Sequence, residues 1–110
     1  MPELADPSLM RTQAFVAGEW RDADETIPIV DPGKNEPFTE VASCTAAEAE
    51  EAIDAAEKVL PEWQEKTAED RCAILAELHQ LIRDNEEDLA KILTLEHGKP
   101  LDQARGEIRY

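Results

Sequence analysis

The sequence contains few aromatic residues, few glycines and few cysteines. Aromatic side chains make up 5% of its 110 residues and glycines number four, so aliphatic residues and alanine must fill any core. The two cysteines, Cys44 and Cys72, stand far apart and form neither a CxxC metal motif nor a disulfide framework. We therefore expect a reducing, cytoplasmic compartment.

Long apolar runs and excess positive charge are also missing. No stretch approaches the roughly 20 apolar residues that cross a bilayer, and residues 1–11 lack the apolar centre of a secretory signal. Eleven basic residues stand against 26 acidic ones, for a net charge of −15. Such a surface repels phosphate backbones and anionic lipid, which disfavours nucleic acid and membranes as partners. At 42% hydrophobic residues, the chain suits one modest globular domain.

The first part of the chain is predicted to form β structure. Residues 1–12 are expected to be a flexible lead-in, because they are mixed in character and contain two prolines. Residues 13–44 carry three short apolar runs, which predict three strands in a meander or hairpin. Ala17-Gly18 and Asp31–Glu36 are the predicted turns, since proline fixes φ while glycine and asparagine tolerate positive φ.

From residue 45 onward, apolar residues recur with the helical period of 3.6. Thr45 and Glu48 have the spacing of a capping box, which marks the start of a helix. Pro61 is expected to end or kink that helix. A second helix is expected to open at Thr67 and to break at Asp84-Asn85.

Two more helices are predicted near the end of the sequence. Gly98 is expected to stop the third one, with Pro100 two residues later. Leu101, Ala104 and Ile108 begin a fourth apolar stripe, and no stop signal appears before Tyr110. The prediction is an α+β segment, with a short N-terminal β-meander followed by about four helices. Because this fourth helix has no stop signal, we expect the sequence to be a segment of a longer chain.

No complete catalytic constellation is found, and structural roles are favoured for the single reactive residues. Gly98-Lys99 lacks the upstream glycine and the Ser or Thr of a phosphate-binding loop. Cys44 precedes a helix cap, where a thiol can be activated, but a small buried residue is the favoured interpretation, as core filling is for Cys72. His79 is interpreted as a helix-edge histidine and His97 as a cation that caps a helix C-terminus.

Five segments, in order, resemble the aldehyde dehydrogenase family. Their order and spacing agree with the family across roughly residues 14–110. The segments are Val16–Trp20 (similar to INGEW), Val30–Glu36 (NP-x-x-G-E), Ala52–Ala56 with Trp63 and Thr67–Arg71 (AI-AA…W…TA-ERA), Leu95–Leu101 (LEQGKPL) and Ala104–Ile108 (A-GEI). The last two look most like succinate-semialdehyde dehydrogenases.

The resemblance implies a parent enzyme that oxidises an aldehyde, here succinate semialdehyde, to the carboxylate with NAD⁺ or NADP⁺ as hydride acceptor. In the family a cysteine thiolate attacks the aldehyde, hydride passes to the cofactor, and a glutamate activates the water that releases the acid. The sequence contexts of that cysteine, that glutamate and the cofactor loop do not occur here. No catalytic or cofactor-binding residue is therefore assigned, and the segment alone is expected to be inactive.

The resemblance also implies an architecture and partners. Residues 13–110 would form the N-terminal, incomplete portion of the cofactor-binding domain in the α/β aldehyde dehydrogenase fold. The partners would be the remainder of the chain and a small aldehyde, in a parent that forms a homo-oligomer. Many members hold a structural monovalent cation, and the matching positions are Val30, through its carbonyl, and Glu96, through its carboxylate. A solvated Glu96 at a helix end is the alternative.

A second hypothesis is a stand-alone acidic α+β interaction module without catalysis. In such a module the apolar stripes of the helices should close on the strands. A segment of a larger enzyme should instead leave a large contiguous apolar patch exposed. The exposure of the helix faces therefore distinguishes the two hypotheses.

Overall fold

A computed structural model of the protein describes residues 3–110, so Met1 and Pro2 of the expected lead-in lie outside the described residues. A short 3-10 helix, Pro7–Leu9, precedes the strands and α-helices follow them, which confirms the predicted α+β class. The strands form two separate antiparallel pairs. Their bounds are β1 Ala14–Val16, β2 Glu19–Arg21, β3 Glu25–Asp31 and β4 Glu36–Ser43. The expectation of three strands was short by one, because Glu19–Arg21 pairs with Ala14–Val16 as a strand of its own.

The first hairpin is closed by a two-residue turn. Ala17 and Gly18 both have positive φ, 53° and 87°, the backbone that matches the twist of paired strands. Phe15 lies opposite Trp20 in the register, and their ring centroids are 5.0 Å apart. The pair forms a small aromatic contact, although both side chains remain exposed.

The second hairpin contains a register irregularity. Ile29 pairs with Thr39 but Val30 pairs with Pro37, so one residue of β4 is unmatched at this point. Such a bulge bends and twists its strand. Asn35, at the end of the turn, has a φ of 55°, a conformation that asparagine tolerates better than most residues.

The four α-helices of residues 3–110 are α1 Ala46–Glu65, α2 Ala68–Asp84, α3 Glu86–His97 and α4 Leu101–Arg109. The predicted capping box is confirmed: Thr45 N–H donates to Glu48 Oε2 at 2.7 Å and Ala47 N–H donates to Thr45 Oγ1 at 3.2 Å. Pro61 lies inside α1 and does not end it, so of the two expected outcomes, an end or a kink, the first is wrong. Pro61 removes one backbone donor in the last turns of the helix, and the flanking hydrogen bonds carry the helix on to Glu65.

The remaining helix boundaries agree with the sequence. Thr67 caps α2 by accepting from Asp70 N–H at 3.1 Å. The break falls at Asn85, and α3 ends at Gly98, whose φ is 79°. None of the helices within residues 3–110 combines the length and the apolar character that a bilayer-spanning segment needs.

The core of the described residues is very small. Only Val16, Ala90 and Ala104 are buried hydrophobic residues, and no large side chain there is fully buried. The radius of gyration is 16.7 Å, whereas a compact chain of this length has about 13 Å. The accessible surface is 8250 Å², against about 6100 Å² for a compact monomer of this mass. The strands therefore do not cover the apolar faces of the helices.

Cys44 and Cys72 are both exposed and free, which corrects the expectation that they are buried. Cys44 lies two residues before α1 and Cys72 lies within α2, and both helices carry exposed large apolar side chains. The large exposed apolar side chains of α1 and α2 are Ile53, Val59, Leu60, Ile74, Leu75, Leu78 and Leu81.

Candidate functional site

A cleft of about 470 Å³ opens where the β3–β4 turn meets α3 and α4. It combines apolar and charged side chains from three parts of the chain. Its lining residues are Asp31, Gly33, Lys34, Lys91, Thr94, Leu95, Gly98 and Leu101. The Oγ1 atom of Thr94 is buried and has no hydrogen-bond partner among the residues that the structure describes.

The turn on one side of the cleft is held by Asp31. Its carboxylate accepts from Gly33 N–H at 2.8 Å, an Asx turn. Its carbonyl accepts from the N–H groups of Lys34 at 3.3 Å and Asn35 at 2.7 Å. The carboxylate and the carbonyl of Asp31 thus both hold this turn through hydrogen bonds from its backbone.

The other side of the cleft is the C-terminal end of α3. Gly98 N–H donates to the Thr94 carbonyl at 2.8 Å, as in a helix-ending αL motif. Gly98 also lies directly against Pro32, since a Cβ built on the glycine would be 2.7 Å from Pro32 Cγ. The turn after β3 and the end of α3 are therefore in contact.

Ion pairs hold α4 on α3 beside the cleft. Arg105 binds Glu87 with two hydrogen bonds, 2.8 Å from Nε and 2.7 Å from Nη2. Arg109 binds Glu86 with Nε at 2.8 Å. These hydrogen bonds hold the pKa of Glu87 and of Glu86 below the usual range, and the pKa of Arg105 above it. Between the helices Ala90 and Ala104 are 0% exposed, so the charged pairs flank a closely packed contact.

The predicted cation ligands lie on the two segments that Pro32 and Gly98 join. Val30 lies at the register irregularity between β3 and β4, opposite Pro37, which has no N–H to donate to the Val30 carbonyl. Glu96 is exposed in the last turn of α3. A carbonyl and a carboxylate are hard oxygen donors, the kind that alkali and other hard cations prefer. The donor chemistry fits a monovalent cation, and the site stays a prediction.

The cysteines and histidines do not converge with other metal-binding side chains. Within residues 3–110, no three His, Cys, Asp or Glu residues are grouped so as to hold a metal ion. His79 and His97 are exposed, and His97 lies in the last turn of α3, where a positive charge is favoured. The search for grouped side chains does not bear on Val30, because Val30 would bind a cation through its backbone carbonyl.

An apolar groove between the first hairpin and α1 was not predicted from the sequence. It measures about 450 Å³ and is lined by Phe15, Ala17, Gly18, Ala52, Ala55, Ala56 and Val59. Ala52, Ala56 and Val59 belong to the apolar residues that recur with the helical period after residue 45. Their role as the floor of an open groove follows only from where the hairpin lies.

The chain is similar to many known proteins. The sequence profile of the Aldehyde dehydrogenase family matches residues 20–110. The glutarate-semialdehyde dehydrogenase of Pseudomonas putida is 44% identical over 110 residues, which cover 98% of this chain and 23% of that protein. The succinate-semialdehyde dehydrogenase [NADP(+)] of Escherichia coli K12 is 42% identical, with the same shares covered.

A solved structure shows the same arrangement of elements. The crystal structure of succinate-semialdehyde dehydrogenase from Burkholderia pseudomallei matches with a TM-score of 0.95 and 45% identity, over 99% of this chain and 23% of that one. The chain thus spans less than a quarter of the length of these relatives.

Proposed function

The chain belongs to the aldehyde dehydrogenase family, and we propose that it is the N-terminal part of an enzyme that oxidises an aldehyde to the carboxylate with NAD⁺ or NADP⁺ as hydride acceptor. Residues 13–110 would be the first portion of its cofactor-binding domain. Their role is to support a catalytic centre that other parts of the enzyme provide.

The exposed apolar faces of α1 and α2 carry this proposal. Ile74, Leu75, Leu78 and Leu81 lie on one side of α2 at helical spacing, and all four are exposed. The total surface exceeds that of a compact monomer by about 2000 Å². A polypeptide of the relatives' length has ample chain to cover such a surface. A self-sufficient interaction module would not leave it open.

The described residues do not themselves suit a dinucleotide. A Rossmann site needs a parallel strand, a glycine-rich turn and a helix N-terminus in succession. Within residues 3–110 both sheets are antiparallel pairs, and the positive-φ glycines, Gly18 and Gly98, lie in a hairpin turn and at a helix C-terminus. The cofactor and the reacting cysteine and glutamate would therefore be held by the remainder of the polypeptide.

We expect the substrate to be an aldehyde with a carboxylate at its far end, and succinate semialdehyde in particular. Two relatives are named for the semialdehydes of glutarate and succinate, which differ by one methylene group. Pocket size discriminates one methylene by only about 10–200-fold in kcat/KM. A homo-oligomer is expected for the parent, in a reducing, cytoplasmic compartment that keeps the exposed thiols of Cys44 and Cys72 reduced.

The proposed cation site would have a structural role in this enzyme. A cation held by the Val30 carbonyl and the Glu96 carboxylate would tie the end of β3 to the end of α3. This tie would reinforce the contact between Pro32 and Gly98. No catalytic step is assigned to it.

The test is a steady-state assay of the intact gene product and of residues 1–110 alone. We expect the intact protein to reduce NAD⁺ or NADP⁺ with succinate semialdehyde, with a kcat/KM at least tenfold above that for glutarate semialdehyde. Residues 1–110 should show no turnover. Turnover by the isolated segment would contradict the assignment of catalysis elsewhere. An inactive intact protein, together with a sharp cooperative melt of the isolated segment, would favour the interaction module.

A further inference from the structure

The N-terminal segment, residues 3–10, lies against the start of α3 and is held there through its backbone. Ala5 N–H donates to Asp88 Oδ1 at 3.1 Å, and Asp6 N–H donates to Asp88 Oδ2 at 2.8 Å. Lys91, one turn further along α3, donates from Nζ to the Glu3 carbonyl at 2.8 Å and to Asp88 Oδ1 at 3.3 Å. Two side chains of α3 thus bind three backbone groups that lie more than 80 residues away in sequence.

Burial is distributed unequally across this contact. Asp88 is 4% exposed, and it is the buried charged residue of the described chain. Glu3, Ala5 and Asp6 are all exposed. A buried carboxylate is costly unless hydrogen bonds satisfy it, and here the segment supplies N–H donors to both oxygens. The three hydrogen bonds that join residues 3, 5 and 6 to α3 all use the backbone of these residues and none of their side chains.

The ionised form of the Asp88 carboxylate, which accepts hydrogen bonds at both oxygens, is favoured here. The N–H groups of Asp6 and Ala5 hold the pKa of Asp88 below its usual range. At neutral pH both of its oxygens are therefore acceptors. The surrounding cleft also includes Asp84 and Asn85, so the segment crosses the junction between α2 and α3.

We propose that Asp88 and Lys91 form a clamp that binds the backbone of residues 3–6 whatever side chains those residues carry, and that this clamp holds the N-terminal segment as a strap across the α2–α3 junction. Residues 3–10, which belong to the flexible lead-in expected for residues 1–12, would form this strap. A clamp of this kind would accept any short peptide backbone of the same geometry, because it reads N–H and C=O groups alone. The proposal does not depend on the enzyme activity.

Amide hydrogen exchange in the intact gene product tests the clamp. In wild-type protein we expect the Ala5 and Asp6 amides to exchange more slowly than free peptide. Asp88→Asn keeps one acceptor oxygen but faces the second N–H with an NH₂ group, so protection of these two amides should fall at least tenfold. Unchanged protection in Asp88→Asn would overturn the proposal.

Matched controls separate backbone recognition from side-chain packing. Glu87→Gln changes the neighbouring carboxylate, which binds Arg105 rather than the strap, and should leave both amides protected. Glu3→Gln and Ala5→Ser change strap side chains and keep the backbone, so protection should stay within about twofold of wild type. A loss in Ala5→Ser as large as in Asp88→Asn would also overturn the proposal.

A second variant tests the proposal if Asp88→Asn does not fold. Lys91→Met retains the apolar stem and loses the donor to the Glu3 carbonyl. Trypsin cleavage after the exposed Arg11 should then be severalfold faster than in wild type, because cleavage requires local release of the chain. An unchanged cleavage rate would contradict the role of Lys91.

Discussion

Gly98 lies against Pro32 so closely that a Cβ on the glycine would be 2.7 Å from the proline Cγ. Gly98 ends α3 with a φ of 79°, and Pro32 begins the turn after β3. This contact joins the strand part of the chain to the helical part. It also explains, in physical terms, why a residue without a side chain stands at this position.

Replacing Gly98 tests the contact directly. Gly98→Ala should destabilise the intact protein by about 2 kcal/mol or more, since positive φ costs an L-residue about 1–2 kcal/mol and the Cβ overlap adds to it. Urea denaturation provides the measurement. In a Pro32→Ala background, Gly98→Ala should lower the free energy of unfolding only by the cost of placing alanine at a positive φ. Equal costs in both backgrounds would show that the contact with Pro32 has no energetic weight.

The proposed cation site predicts ion-specific stabilisation. Na⁺ or K⁺ should raise the melting temperature of the intact protein above that in tetramethylammonium chloride at equal ionic strength, by an amount worth about 1–3 kcal/mol when the site is saturated. Glu96→Gln should remove most of that difference. Glu77→Gln, a change to an exposed carboxylate on α2, should preserve it. An ion response that survives in Glu96→Gln would exclude Glu96 as a ligand.

Acid should weaken the packing of α4 on α3. Arg105 and Arg109 hold the pKa of Glu87 and of Glu86 below their usual value near 4.5. A carboxylate with a depressed folded-state pKa stabilises the fold above its unfolded pKa, and that stabilisation is lost as the pH falls through the folded value. Glu87→Gln should therefore lower the unfolding free energy at pH 7, and this loss should shrink as the pH falls below 4.5. A pH-independent effect would argue that the ion pair is not its cause.

Much of this fold follows from local sequence signals. Thr45 with Glu48, Thr67 with Asp70, and Gly98 mark helix ends through hydrogen bonds to residues three or four positions away. Such signals are complete within a short window, and the structure confirms them. The turn at Ala17-Gly18 is equally local, although the strand after it was underestimated because three residues give too short a pattern.

The parts that the sequence does not reveal depend on distant residues. Nothing near Asp88 indicates that its carboxylate binds the amides of Ala5 and Asp6, since an acidic residue in the first turn of a helix is ordinarily solvated. The burial predicted for Cys72, on α2, was wrong for a related reason. Apolar periodicity marks the face of a helix that packs, but it does not say whether these residues contain its partner.

Leu75 offers the most direct test of the claim that the face of α2 is covered in the intact enzyme. Its side chain is 57% exposed in residues 3–110, and truncation of an exposed leucine changes stability by less than about 0.5 kcal/mol. We predict that Leu75→Ala lowers the unfolding free energy of the intact gene product by about 2–5 kcal/mol, the cost of deleting a buried leucine, while Glu77→Ala on the same helix stays near zero. A loss below about 0.5 kcal/mol for Leu75→Ala would show that this face remains in solvent and would contradict the account.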